Sequence, residues 1–336
     1  MSEKLQTYLI GEIALKRNKS VPLVEELVDL LKISKPSAYK KIKSQVAFTS
    51  SEVFEIATHY EISLDKFLTN GHGNYEKLNF DYSIPPHLPV NPEDFLRKVR
   101  MDLDQIIKAP NPFITYATNE LPIFHSLTCP ILLAFKLYVW SRTNWKISES
   151  LSRAFDPEVF YAAYPDIVEH RMAILNAWMQ IPSKEFWPRM VLDNVLNQIR
   201  YYAEAQLFSN SDVPVLICRE LLNMLDSKQN MAANLNKGDL SNGKPAATFE
   251  LYLNEIAYTN NVILVNSGTE HLAAYITVDN PNFLRSTEQG FCKRMQQWAD
   301  QIESCSFPAE KELHRLNLFN DLKGRVEMLM RHLERM

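Results

Sequence analysis

The chain has 336 residues, a length that suggests two or three domains at roughly 100–200 residues each. Hydrophobic residues make up 46% and charged residues 23%, with only 8 Gly and 18 Pro, which excludes a disordered or collagen-like chain. The 36 Lys/Arg stand against 40 Asp/Glu, a net charge of −4, so the molecule as a whole is no polybasic nucleic-acid coat.

Residues 1–70 hold ten Lys/Arg against nine Asp/Glu, whereas the remainder holds 26 against 31. The first twenty residues alternate charged and apolar side chains and lack the continuous apolar core of a signal peptide. Instead, Leu5, Leu9, Ile13 and Ala14 fall on one stripe at helical spacing. A second helix is predicted after Pro22, with Glu25 and Glu26 near its positive end and Leu23, Leu27, Leu30 and Leu31 facing a core. Lys32-Ile33-Ser34 predicts a three-residue turn. Ser34 is an N-cap for a third helix whose Pro36 sits in the first turn. Thr49-Ser50-Ser51-Glu52 is a capping box opening a fourth helix. Ser63 then caps a short fifth helix carrying Leu64, Phe67 and Leu68.

Lys32, Lys35, Lys40, Lys41 and Lys43 share a stretch that contains no acid. On a wheel of about 100° per residue, Ala38 and Ile42 face the first two helices. Pro36, Ser37, Lys40 and Lys43 then point outward, with Tyr39 and Lys41 on the flanks. Two short helices joined by a tight turn, the second bearing lysines, form a helix-turn-helix pattern. In that reading Lys35, Lys40, Lys41 and Lys43 supply affinity for phosphates, and Ser37 and Tyr39 contact bases or sugars. Two bland readings stand beside it. A lysine-rich face can simply be solvated, and Tyr39 can pack across the helix pair.

The run LVDLLKISKPSAYKKIKS followed by EVFEIATHYEISLDKFL resembles the Cro/repressor type of helix-turn-helix domain, in particular the BetR type found at the N-terminus of bacterial regulators. The later segments FITYATNELPIFHS, LLAFKLYVW and FELYLNEIAYTNNVILV resemble the same regulators. The resemblance implies a DNA-binding transcriptional regulator. Two features depart from the pattern. Ser44-Gln45 stands where a glycine often follows the recognition helix, and Lys40 and Lys41 stand where arginines are common.

Asn70-Gly71, Gly73-Asn74, Pro85-Pro86, Pro89 and Pro92 break any helix and predict a linker over 71–91. Beyond it, helical periodicity predicts helices over 92–109, 127–143, 157–180, 185–208, 212–229, 287–303 and 309–335. Strands are predicted at 113–118 and 121–125 around an Asn119-Glu120 turn, at 249–253, and at 262–265 and 272–278. The expected fold is therefore mainly α. A five-helix helix-turn-helix domain over 1–70 precedes an α+β domain over 92–336 with a small, mostly antiparallel sheet.

Chemistry is harder to place in the second domain. The eight histidines lack metal-ligand spacing, and the four cysteines match no zinc or redox pattern. Neither a glycine-rich phosphate loop nor a nucleophile elbow occurs. Scattered carboxylates such as Glu120, Glu255 and Glu270 form no readable motif. Phe124, Phe135, Tyr138, Trp140 and Trp145 suit either an ordinary core or a ligand pocket. Phe319, Leu322, Val326, Leu329 and Leu333 suit either a dimer seam or packing within the domain. The expectation is a cytoplasmic, non-enzymatic regulator that binds double-stranded DNA as a homodimer. It needs no cofactor, metal or membrane, and its second domain dimerises or senses a small-molecule or protein effector. The alternative is a helix-turn-helix module for protein–protein contact; an enzyme tethered to DNA is a third class.

Overall fold

A computed structural model describes residues 2–17, 21–60, 62–64, 67, 80–82, 91–147, 153–240, 243, 245–255 and 260–336. The chain forms two compact units, Met1–Asn79 and Phe80–Met336.

The first unit contains α1 (Ser2–Lys16), α2 (Leu23–Leu31), α3 (Lys35–Ile42) and α4 (Ser50–His59). Leu9, Ile13, Leu27, Leu31, Ala38 and Ile56 make its core. Ala38 is wholly buried, so its small side chain lets α3 sit close to its neighbours. The local signals act where the sequence puts them. The Ser34 hydroxyl accepts from the Ser37 N–H, and Thr49 and Glu52 close a reciprocal capping box at α4. The turn between α2 and α3 needs a left-handed residue, and Lys32 supplies it with φ 53°. Ser44, with φ 56°, does the same just beyond α3, which ends that helix without a glycine. Of the expected fifth helix, Leu64 and Phe67 are helical, and Leu68 lies outside the described residues. The Tyr8 ring lies 5.6 Å from that of Phe67.

The second unit begins within the expected linker. Residues 71–79 and 83–90 lie outside the described residues, but β1 (Asp81–Tyr82) is a strand of the sheet. There follow α5 (Pro92–Ile106), β2 (Pro112–Ala117), α6 (Ile123–Ser126), α7 (Pro130–Thr143), α8 (Pro157–Ala163), α9 (Asp166–Gln180) and β3 (Ser183–Trp187). After a short 3-10 turn come α10 (Asp193–Glu204), α11 (Asp212–Asn234), β4 (Phe249–Leu253), β5 (Val262–Ser267), β6 (Glu270–Asp279) and β7 (Asn282–Ser286). The chain closes with α12 (Gln289–Ser304), β8 (Phe307–Pro308) and α13 (Glu312–Leu333).

The sheet corrects the expected fold class. It is not the small, mostly antiparallel sheet expected of a mainly α chain. Eight strands form one mixed sheet in the order β1-β7-β6-β5-β2-β3-β4-β8, and its centre, β2-β3-β4, is parallel. The molecule is an α+β protein. One helical prediction hid this centre, because the helix expected over 185–208 runs into β3 (Ser183–Trp187). Separately, the single helix expected over 157–180 is two helices divided around Pro165. The expected strand at 121–125 is not one either, because Ile123–Ser126 forms α6 and β2 pairs instead with β3 and β5.

Alternation along the strands divides the unit into layers. Ile114 and Tyr116 of β2, Trp187 of β3, and Phe249, Leu251 and Leu253 of β4 face the large helical layer. Ala117, Phe186 and Tyr252 point the other way, toward Ile302 of α12. The middle of the helical layer is α7, buried on every side from Leu132 to Ser141, as a helix enclosed by others must be. Its N-terminus has no local side-chain cap. The Glu220 carboxylate on α11 accepts from the Ile131 and Leu132 N–H groups at 3.2 and 2.8 Å and serves as a long-range cap. Among the described residues, no helix is long and apolar enough to cross a membrane.

Candidate functional site

The six residues singled out on and beside α3 do not share one environment. Tyr39, Lys40 and Lys43 are exposed, Tyr39 to 54%, so the tyrosine does not pack across the helix pair. Ser37 is half-buried beside the helix N-terminus. Lys35 is exposed and pairs with Glu25 of α2 at 3.1 Å. Lys41 is the correction. Only 5% exposed, it points into the unit rather than lying on an outward flank.

The Lys41 ammonium donates to Glu52 at 2.8 Å and to the Ala47 carbonyl at 2.9 Å. Glu52 thus serves two roles, because the same carboxylate oxygen accepts the Thr49 N–H of the capping box at 2.6 Å. Burial pushes the Glu52 carboxyl up, but hydrogen bonds from Lys41 and Thr49 outweigh it and hold the group below its ordinary value. Gln6 of α1 completes the clamp. Its amide donates to the carbonyls of Lys41 and Val46 and accepts from the Phe48 N–H. The segment after α3 is therefore fixed by side chains that no helix-turn-helix pattern marks.

In the second unit, α5, α7, β2 and β5 line a partly open cavity of about 120 Å³. Phe95, Leu103, Ile114, Phe124, Trp140 and Ile263 are among its apolar walls. All five aromatics, Phe124, Phe135, Tyr138, Trp140 and Trp145, are buried in the core, and Phe124 and Trp140 also line the cavity. The polar groups reaching the cavity include Lys136, Glu120, Asp102 and Asn280. Lys136 of α7 is 5% exposed, and its ammonium donates to the Leu121 carbonyl at 3.4 Å, with the Trp140 ring 5.5 Å away. Glu120 stands just beyond the end of β2 and is held by three amides. Asn194 and Asn261 donate to it at 3.0 and 2.9 Å, and Asn280 donates as well.

A second polar cluster lies in the helical layer. His125 Nε2 is 2.7 Å from the Glu185 carboxylate, which also accepts from the Trp187 indole at 2.8 Å. Burial holds the His125 imidazole below its ordinary value, and Glu185 is held low by His125 and Trp187 against its own burial. A neutral imidazole donating from Nε2 to an ionised carboxylate satisfies both directions. Lys237 donates to the Trp178 and Ile181 carbonyls at 2.8 and 2.6 Å. Among the described residues, Lys228 donates to the Met231 sulfur at 3.4 Å, lies 5.0 Å from the Trp178 ring and feels the Glu185 charge. Burial pushes both lysines down, Lys228 to about 8.

The titration of Lys228 makes an expected result. A lysine whose folded pKa lies below its unfolded one releases its proton in the native state first, so stability rises between about pH 8 and about pH 10. Lys228→Met should melt higher than the unchanged protein at pH 7, and this difference should shrink as pH approaches 10. Thermal melting of the two proteins side by side isolates the lysine from other titrations. A pH-independent difference would contradict it.

The cluster carried no local motif, and the cavity was hinted at only by Phe124, Trp140 and Glu120, because its residues come from separate elements. Lys136, in the middle of an otherwise apolar helix, was a further signal. Comparison with protein-family models, with curated proteins and with solved structures gives no match for this chain.

Proposed function

We propose that the protein is a DNA-binding transcriptional regulator of the cytoplasm, in which residues 1–70 contact double-stranded DNA as a helix-turn-helix and the second unit senses or pairs. The observation that carries this reading is the outward face of α3. Tyr39, Lys40 and Lys43 are exposed there, on a helix joined to α2 by a three-residue turn. Lysines of this kind bind phosphates through counterion release, and Ser37 and Tyr39 lie beside them for base or sugar contacts. The resemblance of the first 70 residues to BetR-type domains supports the same reading. One such helix makes few contacts, so specific binding calls for a homodimer on paired half-sites.

A helix-turn-helix used for protein contact is favoured by one observation. Phe54 on α4 is 70% exposed, a large apolar side chain in water. Genome-wide mapping of DNA bound to the intact protein separates the two. The regulator reading expects discrete enriched sites. On such a site, log K should fall with log salt at about −0.9 per phosphate, for about three to five phosphates per headpiece. Absence of enriched sites together with a flat salt response would favour the protein-contact module.

A further inference from the structure

We propose that the cavity beside α7 binds a small apolar monocarboxylate, about one aromatic ring in size, with its carboxylate on Lys136. The volume sets the size. An enclosed apolar cavity of roughly 150 Å³ accepts benzene, and this one offers about 120 Å³ with an open side, room for about one ring. The walls set the body of the ligand, because Phe95, Leu103, Phe124 and Ile263 offer nothing to hydrogen-bond beyond their buried backbone.

Lys136 sets the head group. Its ammonium carries three donors and makes one long bond, to the Leu121 carbonyl at 3.4 Å, on a side chain 5% exposed. A buried cation in that position is poorly compensated, and a carboxylate entering the cavity supplies the missing acceptor. The two acids at the cavity do not take that place. The Glu120 carboxylate accepts from Asn194, Asn261 and Asn280 and acts on Lys136 through its charge alone, with no ion pair between the two among the described residues. Burial pushes the Asp102 carboxyl up, against the opposing charges of Arg285 and Lys98. Burial lowers Lys136 while the Glu120 charge opposes that shift, and a bound carboxylate would act in the same sense as Glu120.

This site deepens the sensing half of the proposed function, and that reading alone gives the binding its biological meaning. The binding itself needs no DNA. The test uses the intact protein, with benzoate, its neutral isostere benzamide, and toluene as probes, followed by calorimetry and thermal melting without DNA. Benzoate should bind about tenfold or more tighter than benzamide and raise the melting temperature with concentration. Lys136→Met should lose that preference and keep toluene binding. Equal affinity for benzoate and benzamide in the unchanged protein, or no binding of benzoate at millimolar concentration, overturns the proposal even where the variant fails to fold. A folded Lys136→Met that still prefers benzoate overturns the role of Lys136. If benzoate binds selectively but DNA mapping finds no sites, the ligand site stands and the regulator reading fails.

Discussion

Lys41→Ala is expected to destabilise the first unit by about 3 kcal/mol, while its neighbour Lys40→Ala leaves the melting point unchanged within experimental error and weakens DNA binding. The contrast rests on one step around a helix. Lys40 is exposed, whereas Lys41 is buried, bonded to Glu52 and to the Ala47 carbonyl. Removing Lys41 leaves Glu52 as a partly buried carboxylate that has lost its counter-ion, the arrangement that costs most when a pair is broken. It also releases the loop that Gln6 and Glu52 fasten to α3 and α4. Hydrogen exchange on the intact protein reads the first unit separately from the second. A Lys41→Ala protein with undiminished protection and weakened DNA binding would return Lys41 to the contact face.

The same pair carries a pH dependence. The Glu52 carboxyl is held below its unfolded value, so its contribution is fully present above about pH 5 and fades as pH falls through the lowered value. Lys41→Ala should blunt that acid sensitivity in the first unit.

What the sequence could say depended on how local the determining physics was. Caps and turns act over three or four residues, and Ser34, Thr49 and Glu52 accordingly sit at helix starts as read. The hairpin of β5 and β6 was legible for the same reason, since Gly268 adopts φ +58° at the turn. The centre of the sheet was not. A strand buried on both faces normally reads as an apolar run, but β3 is Ser-Lys-Glu-Phe-Trp. Its Glu185 is satisfied by distant His125 and by Trp187 on the same strand, and its Lys184 by Glu303 of α12 at 2.7 Å, far along the chain. The wheel of α3 failed at Lys41 in the same way, because the partner that draws it inward lies on another helix.

Val326→Lys is expected to destabilise the second unit by about 4 kcal/mol or more and to yield no clean folded monomer. The pattern Phe319, Leu322, Val326, Leu329, Leu333 suits a dimer seam as readily as an intramolecular face, because both present apolar residues at 3–4 spacing. Burial decides between them. Leu322 and Val326 are wholly buried and Leu329 is 1% exposed within one chain, so these side chains form no surface for a second copy. Leu318 is buried as well, next to Phe319, which widens the stripe beyond a two-position seam. The wider face fits two partners, and α13 packs on both α11 and α10. Arg325 supports that docking by pairing with Asp193 at the start of α10. A lysine at 326 would place an ammonium among leucines with no water to reach. Sedimentation with circular dichroism checks the outcome. A variant that melts like the unchanged protein while shifting from dimer to monomer would restore the seam, whereas loss of helical signal at lower temperature places α13 in the core of its own unit.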